Sequence, residues 1–295
     1  LTLYYDNFDL SAGYMKQVWG TTDGVHVVDE LNPIDYSDFV MPEYLERNIA
    51  EKMIKADIYV GSNGTLELAY VPTFHPHEYA ASGPWKPQRL KELESAITTP
   101  GGDLTEFYTS YNEEVAENTL KEGQYGLRYS DSAGGFDFGL TYYYGFDRIP
   151  VVDISDVSVD FNRMHLFGLE TATVIGGFNI RAEAGYVMTD DFAGDDPLVH
   201  NHRVEYIAGF DRSIPIHNLE FQLQNVGEVI LDSGKIEEPV LTPPAPQYDN
   251  EYDEDGDYTS NTLNARLSDS FAGDTVRPEV RGSYNIEKQD FMIVP

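Results

Sequence analysis

Residues 178–188 read FNIRAEAGYVM, and the alternation along them decides the fold. Phe178, Ile180, Ala182, Ala184, Tyr186 and Met188 fall on one side of an extended chain, with Asn179, Arg181, Glu183 and Gly185 on the other. A single half-buried antiparallel strand would show the same pattern, so its neighbours carry the reading. Phe161 to Val174 precedes it across Gly176-Gly177. After a loop, Val204, Tyr206, Ala208 and Phe210 oppose Arg203, Glu205 and Asp211; beyond a break at Ile214 to Asn218, Leu219, Phe221 and Leu223 oppose Glu220, Gln222 and Gln224. The polar side carries full charges strand after strand. Such a sheet turns its greasy face to acyl chains and its charged face to an enclosed interior.

Upstream, Leu1 to Tyr5 and Phe8 to Gln17 flank an Asp6-Asn7 turn, and Ile58 to Val60 pairs with Thr65 to Phe74. Gln124 to Tyr129 pairs with Phe136 to Phe146, whose Phe136, Phe138, Leu140, Tyr142, Tyr144 and Phe146 make the most lipid-like face of the chain. Downstream, Thr262 to Ser268 pairs with Val276 to Tyr284, and Asp290 to Pro295 reads as a strand cut short. Odd connections are tight. Even ones are long, and two of them hold helical candidates: Pro42 to Ile54 in the first, Pro87 to Ile97 and Leu104 to Leu120 in the second. Short turns on one rim and long loops on the other mark an up-and-down transmembrane barrel. The expectation is therefore an all-β, antiparallel transmembrane β-barrel in one domain, 1–295. Thirteen strands are readable here, about 14 to 16 being expected in the whole protein because bacterial barrels close on even numbers.

Composition agrees. There are 19 basic and 51 acidic residues, a net charge of −32, which argues against nucleic acid as a partner. It does not argue against membrane lipids, since charge can reside in loops outside the bilayer. The acidic, proline-bearing stretch from Leu231 to Ser260 must be solvated. Tyrosine is abundant, as expected of side chains at a membrane boundary, and no run approaches the roughly 18 apolar residues of a membrane helix. Cysteine is absent, so thiolate metal sites and disulfides are excluded. Leu1 opens in strand pattern with no leader-like segment, so a mature or trimmed product is expected.

Several segments resemble a family of porin-like Gram-negative outer-membrane proteins of unassigned function. Gln17-Val18-Trp19-Gly20, Asp23, Val28, Asp29 and Leu31-Asn32-Pro33-Ile34-Asp35 are similar to its WG…D…NPxD signature, and 168–224 to its later hairpins. The resemblance implies a bacterial outer-membrane location and a transport role, and supplies no catalytic residues. Within the signature loop, Trp19, Gly20, Asp23, Asn32, Pro33 and Asp35 have two readings. Either Asn32-Pro33 is a rigid turn with Trp19 anchored at the membrane interface, or 19–55 folds inward and narrows the channel beside the inward arginines.

Seven of eleven arginines fall on the charged face: Arg128, Arg163, Arg181, Arg203, Arg266, Arg277 and Arg281. With Glu183, Glu205, Glu220 and Glu279 they line the expected lumen. They make either a lattice of pairs, Arg181 with Glu183, Arg203 with Glu205 and Arg277 with Glu279, or a constriction that selects solutes by charge. Glu251, Asp253, Asp255 and Asp257 around Gly256 are similar to the first half of a calcium loop, yet Thr262 stands where the bidentate glutamate belongs. His75-Pro76-His77 and His200-Asn201-His202 lack zinc-hydrolase spacing and read as exposed loop histidines. Ser155, Asp156 and His165 have no spacing that links them, and no nucleophile elbow or phosphate loop appears. No enzyme activity and no cofactor beyond surface calcium is expected. The leading function is passive passage or uptake of small solutes. A transporter of hydrophobic compounds and a binding barrel with a blocked lumen are the alternatives.

Overall fold

A computed structural model describes residues 1–37, 44–98, 103–109, 123–242, 247–273 and 275–294. In chain order the strands are β1 Thr2–Tyr4, β2 Phe8–Met15, β3 Asp35–Tyr36, β4 Glu51–Val60, β5 Gly64–Val71 and β6 Glu78–Tyr79. Then come β7 Gln124–Ala133, β8 Phe136–Phe146, β9 Val151–Asp153, β10 Ser158–Asp160, β11 Arg163–Ile175 and β12 Phe178–Thr189. The last are β13 Arg203–Ser213, β14 Glu220–Ile230, β15 Thr259–Ser268, β16 Glu279–Asn285 and β17 Phe291–Val294. Among the described residues strand far outweighs helix. Thirteen strands form one antiparallel meander, β1-β2-β4-β5-β7-β8-β11-β12-β13-β14-β15-β16-β17, in which each pairs with the next. Among the described residues no pairing joins β1 to β17.

Turn chemistry sets the register. Gly134-Gly135 and Gly176-Gly177 adopt positive φ in the two-residue turns of β7–β8 and β11–β12, where the strand twist requires it. The turn at 176–177 seats Ile175 opposite Phe178, so Leu169 meets Ala184 and Glu170 meets Glu183. Alternation then sorts the faces, and it does so inside out. Leu140 is 52% exposed while the adjacent Thr141 is 5% exposed; Leu169 is 51% exposed and Glu170 1%. Glu183 is buried beside exposed Ala184. The carboxylates are inside and the apolar side chains outside.

The helical expectation for Pro42 to Ile54 is largely overturned. Pro42 lies outside the described residues, helix α1 is only Tyr44–Arg47, and β4 begins at Glu51. Glu51 and Met53 are buried while Lys52 and Ile54 are exposed, a period of two that a strand satisfies. Helix α2, Gln88–Thr98, stands where 87–97 is expected, and 104–109 is helical; 110–120 lies outside the described residues. The long connections share a small core of their own. Phe74, Leu93, Ile97 and Phe107 pack with Val152, Ile154, Phe161 and Tyr248, so three separate loops are tied together at one end of the sheet. Short pairings, β3 with β6 and β9 with β10, add backbone bonds there.

Candidate functional site

The connection between β2 and β4 lies against the inner face of the sheet, and the signature residues seat it. Asn32 staples its two ends: its Oδ1 accepts from Gln17 N at 2.8 Å, and its Nδ2 donates to the carbonyls of Met15 and Ile49 at 2.9 Å each. The Pro33 carbonyl accepts from Ile49 N, and Asp35 caps Ser37 N. Trp19 is fully buried, packs with Leu31, Tyr143 and Leu166, and donates Nε1–H to Glu67 Oε1 at 3.3 Å. The membrane-interface role expected for Trp19 is thus overturned, because its ring fills the interior. The wall makes room for it: a Cβ on Gly126 would sit 2.6 Å from the indole. Val27 and Val28 pack on Ile207 of β13.

One carboxylate holds the tip of the segment. Glu183 Oε1 accepts from Thr21 N and Thr22 N at 2.8 Å each, from Thr22 Oγ1 at 2.6 Å, and meets His26 Nδ1 at 3.0 Å; Oε2 accepts from Val27 N at 3.0 Å. Gly20 allows this approach, since a Cβ there would lie 2.3 Å from the His26 ring and 2.5 Å from Glu183. Asp23, beyond the seat, reaches Arg181 at 2.6 Å and Gln222 at 3.2 Å. Within the segment, burial raises the Asp29 carboxyl to about 7 against opposing help from His26, and burial with Glu205 nearby raises Glu30 to about 8. Burial works against a charged His26, but the hydrogen bond and charge of Glu183 outweigh it and raise its pKa.

The charged lattice is real but partly different from the expected pairing. Arg203 pairs with Glu205 and with Asp147, each at 2.6 Å. Arg181 binds Asp23 and Asp211 rather than Glu183, which the loop occupies. Arg128 joins Glu67 at 2.5 Å and also Glu170. Glu279 takes Arg281, not Arg277. Arg277 lies in the β15–β16 turn, off the strand wall. Arg163 faces out, on the same side of β11 as exposed Phe167; it lies 3.8 Å from the Phe146 ring centroid and donates to the Gly123 carbonyl. The expected calcium set does not converge. Glu251 turns to His200 at 2.5 Å, Asp253 accepts from Asp255 N, and among the described residues no three such side chains gather around a point. The loop histidines are not exposed as a set: His200 is buried, and burial near Arg148 lowers His77 to about 3 as it accepts from Ile34 N.

The segment packs on the inner face from β5 to β13 and touches β14 through Asp23–Gln222 and through Val226, with cavities left between it and the rest of β14–β16. Three cavities follow that wall from rim to rim. At the long-loop end, about 310 Å³ is bounded by Glu228, Ser260, Asn285 and the acidic loop. Midway, about 360 Å³ lies between Asp23, Gly24 and Arg47 of the segment and Gln224, Asn264, Arg266 and Arg281 of the wall. At the short-turn end, about 570 Å³ is bounded by Glu220, Arg266, Ser268, Arg277 and Glu279. Arg266 borders the last two. Cross-strand register places Glu228 opposite Ser260, Gln222 opposite Arg266 opposite Arg281, and Glu220 opposite Ser268 opposite Glu279, so the cavities sit in successive rows of one face.

No protein-family model matches the chain, and no curated protein does. Among solved structures, the crystal structure of Acinetobacter baumannii OccAB4 is similar with a TM-score of 0.44 and 12% identity, over 98% of this chain and 60% of that one. The chain therefore spans 60% of the length of the OccAB4 chain.

Glu67, Glu170 and Arg148 are among the buried charges that escape the sequence reading. Glu67 and Glu170 could have been found from alternation, because Glu67 stands opposite Arg128 in the β5–β7 register and Glu170 opposite Glu183. Arg148 offers no such signal. It lies just past β8, in no periodic pattern, and donates to the carbonyls of His75, Glu30 and Leu31, joining three connections.

Proposed function

We propose that the chain forms the wall of an outer-membrane β-barrel channel through which small polar solutes pass, along β14–β16, past an inward-folded constriction. The observation that carries this reading is the row of three cavities along the uncovered stretch of the charged face. Their walls carry Gln, Asn, Ser, Arg and Glu side chains that can hydrogen-bond a hydrated solute, with apolar Val25, Met292 and Val294 among them at the middle level. The exposed apolar face supplies the lipid contact that a membrane wall requires. At the middle level Asp23 and Arg47 of the segment face Arg266 and Arg281 of the wall. Arg281 is engaged by Glu279, whereas Arg266 has no carboxylate partner among the described residues. A free guanidinium in a passage favours anions.

In planar lipid bilayers the protein is expected to give stable openings, and Arg266→Glu to shift the reversal potential in a salt gradient toward cation preference. Openings whose selectivity ignores Arg266→Glu would move the passage elsewhere. Silence of both proteins after verified insertion would favour a second reading, a barrel whose lumen is closed; the tight seating of 19–31 on Glu183 is what speaks for it.

A further inference from the structure

The outer face holds a feature that the passage does not use. Across β12–β15, Phe178, Ile180, Ala208, Phe210, Leu223 and Leu263 bound an apolar groove of about 350 Å³. Ala208 lines the groove as a small side chain, opposite Ala182 of β12 and two residues from Phe210 along β13. At the short-turn end of this groove stands Arg212, whose guanidinium lies 4.5 Å from the centroid of the Phe178 ring. Arg212 shares the outward face of β13 with Ala208 and Phe210, while its neighbour Asp211 points inward to Arg181 and Asn179. Among the described residues no carboxylate pairs with Arg212. Arg163, also outward, differs: it donates to the Gly123 carbonyl at the opposite rim.

A guanidinium held by a ring at the border of an apolar belt is matched by an anion at headgroup depth that offers two oxygens to its planar fork. The groove beside it is matched by a hydrocarbon chain. One molecule satisfies both. We propose that this face binds a glycerophospholipid, its phosphate on Arg212 and one acyl chain lying along the groove past Ala208. The proposal rests on the membrane reading above, since it needs the exposed apolar face to meet lipid.

Native mass spectrometry of the full chain in mild detergent, titrated with phosphatidylglycerol, tests it. The wild type is expected to retain one lipid. Loss of the charge-assisted contact in Arg212→Ser is expected to weaken retention about tenfold, and Ala208→Phe, which fills the groove, to abolish it. Neither residue faces the passage, so both variants are expected to insert into vesicles and conduct as the wild type does. Three results would overturn the proposal alone: unchanged retention in both variants, equal retention of diacylglycerol (which has no phosphate), or a stable dimer seated on this face. A wild type that fails to insert would overturn the membrane reading and this proposal with it.

Discussion

Glu183→Ala is expected to unseat residues 19–31 and raise single-channel conductance. The carboxylate is fully buried and takes five hydrogen bonds from Thr21, Thr22, His26 and Val27. Removing it strands backbone and hydroxyl donors and leaves His26 without its counter-charge, a loss of about 3 to 5 kcal/mol for a buried partner deleted on one side. Trp19 and Leu31 still bury their side chains, so release of the tip rather than of the whole segment is the expected outcome. Should Glu183→Ala fold poorly, Thr22→Val, which deletes one of the five bonds, is expected to give a smaller rise in conductance. Wild-type conductance after either change would mean that the seat does not limit the passage.

The same seat is expected to loosen as pH rises. Asp29 and Glu30 have folded pKa values above their ordinary ones, so the segment favours their neutral forms; that preference is fully expressed below the ordinary values and is progressively lost up to about 7 for Asp29 and about 8 for Glu30. His26, raised by Glu183, stabilises the seat below its ordinary 6.5 and stops doing so as pH passes its raised value. All three act in one direction. Conductance should therefore climb between about pH 6 and pH 9, less steeply in Asp29→Asn; a flat profile, or one that falls, would contradict this.

The second large effect is on the outer face. Ala184→Arg places a guanidinium near the middle of β12, opposite Leu169, on the side where both are exposed. At the bilayer midplane such a charge costs about 2 to 4 kcal/mol, read as the change in urea-dependent equilibrium folding into phospholipid vesicles. In water the same substitution on an exposed strand face would change stability by no more than about 0.5 kcal/mol. A harmless Ala184→Arg would mean that this face does not meet lipid.

The sheet was legible in the sequence because apolar and polar residues alternate along its strands, and Phe178 to Met188 keeps that alternation at every position but Val187. The order of tight and long connections followed from the spacing between periodic stretches, with glycine pairs marking the turns at 134–135 and 176–177. The interior was less legible. The rule that places Arg181 and Glu183 on one face does not say that Glu183 belongs to Thr21 and Thr22, which lie more than a hundred residues away and display no period. For the same reason Trp19 reads as an interface anchor, a common use of tryptophan in membrane proteins, when in fact a glycine on β7 leaves space for it inside. Arg163 and Arg277 were misplaced for a local reason. Each stands at the end of a strand, where a shift of one residue in the assumed boundary exchanges lumen for exterior or for turn.

Nitroxide labels placed one at a time on β15, in a chain with no cysteine of its own, would read the two faces directly after reconstitution into vesicles. With the labels carried by Leu263→Cys, Asn264→Cys, Arg266→Cys and Leu267→Cys, positions 263 and 267 are expected to be relaxed by oxygen dissolved in the bilayer. Positions 264 and 266 are expected to be relaxed by a water-soluble nickel chelate. The reversed phase, or equal access to water at all four positions, would show that the charged face is not the one enclosed.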